Sequence, residues 1–134
     1  MTTSIVHYTG DLHCELTHLQ SGSRIATDAP TDNNGKGEAF SPTDLLATSL
    51  AACALTIMAM KADGMGIALT GARAEVSKEM AANPRRVARV KVDFYLSVPE
   101  DEALRQLLEA TARACPVAQS LGKDLVQEFV FHYA

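Results

Sequence analysis

The chain has 134 residues, enough for one substantial hydrophobic core and not for two, so residues 1–134 are expected to form a single domain. Its 47% hydrophobic and 21% charged content excludes a disordered chain, and a formal net charge of −4 excludes nucleic acid as the main partner, since phosphate binding draws on a basic face. Three cysteines, an odd number, exclude a closed disulfide framework, and none has the CxxC spacing of a zinc or thioredoxin-type site, so no metal and no cofactor is expected.

The N-terminal stretch MTTSIVHYTGDLHCELTH turns polar and strand-like at once, without the pattern of a signal peptide, which leads to the expectation of a cytoplasmic protein. SIVHYTG, LHCELTH and SRIATD are β-prone runs separated by Gly10-Asp11 and Ser21-Gly22, the signature of a β-meander. Cys14 shares a strand face with Leu12 and Leu16 and is expected to pack inward. His13 points to the opposite face and makes no ligand set with it. APTDNNGKGEAF, from Ala29 to Phe40, is dense in Asp, Asn, Gly and Pro and reads as a loop long enough to carry function.

Ser41 opens a helix as N-cap, with Pro42 at its first position and Asp44 completing a capping box, and Gly64 is expected to close it in the left-handed conformation. Between Leu45 and Met60 only Thr48, Ser49 and Thr56 are not apolar, so the helix has no polar face and is either buried or membrane-spanning. The apolar run is shorter than the roughly 18–20 residues a bilayer requires, which favours burial and no membrane. A helix about 30 Å long is hard for one small domain to cover on all sides, and a homodimer is expected to cover it.

After Gly66 the period changes to two. IALTGARAEVSKEM and VARVKVDFYLSV form a hairpin turning at AANPRR, with Val90, Val92, Phe94 and Leu96 inward and Lys78, Arg85, Arg86, Arg89 and Lys91 on the solvated face and turn. PEDEALRQLLEATARA is an amphipathic helix. PVAQSL is a second, short helix with Cys115 as N-cap, Pro116 at its first position and Gly122 as its stop, and LVQEFVFHYA is a closing strand. The order of elements is that of an α+β fold.

The two remaining cysteines sit in opposite settings. Cys115, at a helix N-terminus, should have a lowered pKa. Cys53, in mid-helix among apolar neighbours, should have a raised one and would need a cation brought to it. Arg24, whose guanidinium stays charged when partly buried, is the first candidate, and Lys36 of the Asn-Gly-rich loop the second.

The combination FSPTDLLATSLAACALTIMAMKADGMGI, followed 62 positions after Cys53 by CPVAQSL, resembles the OsmC/Ohr family of organic hydroperoxide reductases over nearly the whole chain. The resemblance implies an intertwined homodimer in which Cys53 attacks an organic hydroperoxide to give a sulfenic acid and Cys115 condenses with it to a Cys53–Cys115 disulfide. A thiol reductant, of the dihydrolipoyl type in the better-known branch, would then reset the pair in an oxidative-stress defence. Leu46, Leu50, Ile57 and Met58 are the implied substrate-lining residues. An arginine near the N-terminal strands is implied as the activating cation, for which Arg24 is the nearest match. Thr43 stands where better-characterised members carry the glutamate that pairs with that arginine, leaving Asp44 or Glu38 to replace it. Two other readings stay open: a non-enzymatic dimer binding a small apolar ligand, and a thiol redox sensor.

Overall fold

Three short β-prone runs pair into the first sheet. The computed structural model of the chain describes all 134 residues, Met1–Ala134, in two units, Met1–Leu46 and Ala47–Ala134. In the first, strands β1 (Ser4–Gly10), β2 (His13–His18) and β3 (Arg24–Asp28) form an antiparallel meander in the order β1-β2-β3. The turn between β1 and β2 places Asp11 at φ 55 and Leu12 at φ 59, the pair of left-handed residues that a two-residue hairpin turn demands. Leucine pays on the order of 1–2 kcal/mol for that conformation.

The loop from Ala29 to Phe40 contains one 3-10 turn, Thr31–Asn33. Backbone bonds fix its ends: Ala29 N–H to the Leu12 carbonyl and Asp28 N–H to the Phe40 carbonyl, both at 3.0 Å. Gly35 passes so close to Ala29 that a Cβ would fall 1.7 Å from its carbonyl oxygen, so only glycine fits there.

Helix α1 (Pro42–Asp63) follows. Its capping box forms as the sequence implies, with Asp44 N–H donating to Ser41 Oγ and Ser41 N–H to Asp44 Oδ2, each at 3.0 Å. The C-terminal stop lies two residues later than expected. Gly66, at φ 74, and not Gly64, is the left-handed residue, and Ile67 N–H reaches the Ala62 carbonyl while Gly66 N–H reaches that of Asp63, the paired bonds of a Schellman closure.

One expectation about α1 needs correction. At 22 residues, with an 18-residue window of mean hydropathy 1.7, it is long and apolar enough to cross a bilayer, because the helix extends beyond the run from Leu45 to Met60 with few charged residues at either end. Length therefore does not decide the matter. What argues for a core helix is its buried stripe of Ala47, Leu50, Ala51, Ala54, Met58 and Ala62 at steps of three and four. Burial is also one-sided within the chain: Leu46, Ser49, Ala52, Thr56 and Met60 are exposed.

The second sheet has the order β4-β5-β6, from β4 (Arg73–Ala81), β5 (Arg86–Leu96) and β6 (Val126–Tyr133). Strands β4 and β5 are the expected antiparallel hairpin, whereas β6 runs parallel to β5. A parallel neighbour requires a crossover, and helices α2 (Glu102–Arg113) and α3 (Pro116–Ser120) supply it. The Asp101 carboxylate caps α2 by accepting Leu104 N–H at 3.1 Å.

The inward side chains Val90, Val92, Phe94 and Leu96 of β5 are buried with the α1 stripe, with Leu104, Leu108 and Ala112 of α2, and with Cys115 and Ala118. Phe129 and Phe131 of β6 pack on Phe94, edge-on at 5.2 Å and stacked at 5.0 Å between ring centres. The opposite face carries ion pairs of Arg89 with Glu128 and Lys91 with Asp93. Lys78 departs from the expected solvated face, since its register partner is the buried Val90.

Candidate active site

Cys53 lies on the fourth turn of α1, half-buried at the margin of the buried stripe, one helical step from Leu50 and Ile57. Cys115 is the residue before α3 and is completely buried. The α3 N-terminus is built as the sequence implies: Pro116 occupies the first helical position, and Cys115 Sγ accepts the Ala118 N–H at 3.5 Å. Both cysteines are reduced, and the Cys53 thiol is near enough to Cys115 to act on its ionisation. Two residues far apart in sequence thus meet at the same core cluster, and the crossover that makes β6 parallel to β5 carries Cys115 into it.

The expected direction of the Cys115 pKa is overturned. Burial pushes its thiol above the ordinary cysteine range, the Ala118 N–H bond opposes this, and the neighbouring Cys53 thiol adds to the rise. A helix of five residues offers a weak dipole, and desolvation of the charged form outweighs it. Cys115 is therefore held as a thiol.

The other expected site residues are placed as follows. Arg24 is exposed on β3 with its guanidinium 3.7 Å from Glu15. Asp44 serves the α1 cap, and Thr43 joins that cap through a 3.1 Å bond between its hydroxyl and that of Ser41. Glu38 donates its backbone N–H to Asp28 Oδ2 at 2.9 Å. Of the lining candidates, Leu50 and Met58 are wholly inside the core, Ile57 is half-buried and Leu46 is exposed.

One cluster escaped sequence reasoning. Asp28, only 4% exposed, accepts from His13 Nδ1 at 2.5 Å through one carboxylate oxygen and from the Glu38 N–H through the other. The His13 bond is the main reason that the Asp28 carboxyl is held below its usual range. The carboxylate fixes the orientation of the His13 ring through Nδ1. His13 and Asp28 line a polar cavity of about 210 Å³ with Thr9, Gly10, Asp11, Lys36 and Glu38. The signal was present in the meander register, which sets His13 directly opposite Asp28.

A roomier cavity of about 350 Å³ lies at the end of the second sheet, between Leu69–Arg73, Tyr95–Ser97 and His132–Ala134. Its charged groups are already satisfied. Arg73 pairs with Glu75 at 2.9 Å and lies over the Tyr95 ring, and His132 stacks on that ring and bonds Asp93 at 2.9 Å. They make a braced sheet face with no reactive group left over.

The model of the OsmC-like protein family matches residues 35–128, a span that holds the α1 cap, both thiol positions and the start of β6. Comparison with curated proteins returns no match. Among solved structures, a Psychrobacter arcticus protein, provisionally described as an osmotic stress induced and detoxification response protein, superposes with a TM-score of 0.95 at 52% identity, covering 98% of this chain and 96% of its own. An OsmC-like protein of Mycoplasma pneumoniae superposes at 0.82 with 16% identity, over 98% of this chain and 95% of its own. An organic hydroperoxide resistance protein, OsmC, of Legionella pneumophila does so at 0.71 with 18% identity, over 98% and 97%. The last two show the shared fold alone. From the extent of the family match and the 52% identical relative, the chain belongs to the OsmC-like protein family.

Proposed function

We propose that this chain is a thiol-dependent peroxidase that reduces organic hydroperoxides. The observation that carries the reading is the cysteine pair at one core cluster: a half-buried cysteine on α1 and a fully buried cysteine that is held as a thiol. The Cys53 thiolate attacks the peroxide oxygen, breaking the O–O bond. The sulfur is oxidised to a sulfenic acid, and the alkoxide leaves as the alcohol after taking a proton. The Cys115 thiol then attacks the sulfenic sulfur, forming the disulfide and releasing water. An external dithiol reduces that disulfide and is itself oxidised to a disulfide.

Burial gives the two sulfurs separate tasks. The thiolate is the nucleophile, so a sulfur kept protonated and away from solvent is spared direct oxidation, and it turns nucleophile only as its proton leaves with the sulfenic hydroxyl as water. The apolar flank of α1 favours a substrate with a hydrocarbon tail over hydrogen peroxide. The Legionella relative's name, organic hydroperoxide resistance protein, supports the same substrate class.

The reading also makes the chain a cytoplasmic homodimer acting in oxidative-stress defence. A reducing compartment keeps the thiols ready, and a second copy covers the outward apolar residues of α1. The test is rapid mixing of reduced protein with one equivalent of cumene hydroperoxide, and of hydrogen peroxide in parallel, followed by thiol counting and disulfide mapping. Fast loss of two thiols with a Cys53–Cys115 linkage, faster with the organic peroxide and absent in Cys53→Ser, is expected. Persistence of both thiols for minutes with either oxidant would defeat the proposal.

A further inference from the structure

The chain holds three asparagines, Asn33 and Asn34 in the loop from Ala29 to Phe40 and Asn83 in the turn between β4 and β5. An asparagine amide is open to attack by the backbone nitrogen of the residue that follows it. Asn83 precedes Pro84, which has no N–H to give up, and Asn33 precedes Asn34, whose side chain crowds the approach. Asn34 precedes Gly35, whose nitrogen is unhindered, and Asn34 is exposed to water. We propose that Asn34 is a self-modification site, which deamidates through a succinimide with Gly35 when the loop opens and which the closed loop holds unreacted.

The step balances without an oxidant or reductant. The Gly35 nitrogen bonds the side-chain carbonyl carbon of Asn34, and the side-chain nitrogen leaves as ammonia, taking the Gly35 proton with it. Water then opens the succinimide at either carbonyl. One opening gives aspartate, and the other gives isoaspartate, whose main chain runs through the former side-chain methylene. Each product carries a negative charge that Asn34 lacked.

The closed loop opposes this reaction in its geometry. Asn34 sits at φ 68 and ψ 8, so the Gly35 nitrogen eclipses the Asn34 nitrogen and is turned away from the side chain it must reach. The Gly35 N–H already donates to the Pro30 carbonyl at 2.9 Å. Gly35 is also wedged so tightly against Ala29 that the rotation about ψ needed for ring closure has no room. Reaction therefore waits for local opening, which parts the bonds at the foot of the loop: Gly37 N–H to the Ala29 carbonyl at 3.3 Å and Glu38 N–H to Asp28 Oδ2 at 2.9 Å.

The same wedge makes the change one-way. Isoaspartate lengthens the main chain by a methylene just before Gly35, where even an added Cβ would fall 1.7 Å from the Ala29 carbonyl oxygen, so the loop cannot close again as before. Opening thus leaves a covalent record, with Lys36 and Glu38 displaced from the wall of the His13–Asp28 cavity.

The test is incubation of the reduced full-length chain at pH 8, in buffer and in denaturing guanidinium chloride, with peptide mapping of the amide-to-acid mass change over time. In denaturant Asn34 should convert ahead of Asn33 and Asn83. In buffer its conversion should be roughly tenfold slower or more, the combined effect of the Gly35 hydrogen bond and the Ala29 wedge. Asp28→Ala, which removes the acceptor of the Glu38 N–H, should speed conversion severalfold in the folded chain; circular dichroism checks that it folds, and the comparison of parent chain in buffer and denaturant stands without it. After removal of denaturant, isoaspartyl chains should be cut within residues 29–40 by protease faster than the parent. Equal rates in buffer and denaturant, conversion in denaturant led by Asn33 or Asn83, an unchanged rate in folded Asp28→Ala, or an isoaspartyl loop as protease-resistant as the parent would overturn the inference.

Discussion

Cys53 and Cys115 differ more in surroundings than in chemistry. Burial keeps Cys115 protonated through neutral pH, so its alkylation by iodoacetamide should lag well behind that of the half-buried Cys53 at pH 7 and accelerate only as pH rises above the ordinary cysteine range; peptide mapping of a time course from pH 7 to 10 reads this directly. Asp28 shows the opposite shift. Its carboxyl is lowered chiefly by the His13 bond, so its stabilising contribution is present above the unfolded value near pH 4 and is lost as pH falls through the lower folded value. Asp28→Asn should therefore lower the melting temperature at pH 6 and flatten its dependence on acid below pH 4. Equal acid sensitivity in the variant and the parent would show that the bond contributes nothing. His13 and Asp28 were hard to read as a pair because fifteen positions separate them, and only strand register brings them face to face.

At the scale of elements, α1 was legible at its start and less so at its end. Ser41, Pro42 and Asp44 are local signals whose bonds close within four residues, so no tertiary contact was needed to foresee them. Ser41→Ala removes the oxygen that accepts Asp44 N–H and should cost about 1 kcal/mol, a fall of a few degrees in melting temperature at fixed protein concentration. At the other end two glycines were available, and Gly66 took the left-handed role because Ile67 then reaches back to Ala62. Cys115 as the cap of α3 was equally local, yet its acidity was misjudged. Cap geometry is a property of neighbouring residues, whereas desolvation depends on what the rest of the chain lays over the sulfur.

For the whole molecule, the long apolar helix poses the question of what covers it. The chain buries one stripe of α1 and leaves Leu46 and Met60 outside, the latter 63% exposed, and the second copy proposed above would cover them. Sedimentation should give a dimer mass for the native chain, and Met60→Lys should shift it toward monomer, since a buried lysine is costly at a two-fold interface. A monomer mass for the parent at micromolar concentration would refute the dimer. The core has a different sensitivity. Phe94 has no exposed surface and touches both phenylalanine rings of β6, so Phe94→Ala should cost about 3–5 kcal/mol, measured by urea unfolding.

The sequence by itself determined the strands and helices, the two helix caps that flank the thiols, the α+β class and the family resemblance, because each rests on signals a few residues apart or on a linear motif. Tertiary structure alone decided that β6 would run parallel to β5, that Cys115 would be buried and stay protonated beside Cys53, and that His13 would meet Asp28. Those outcomes depend on which segments become neighbours and on how much water they exclude. Hydrophobic period and capping patterns act over one or two turns of chain and carry no record of either.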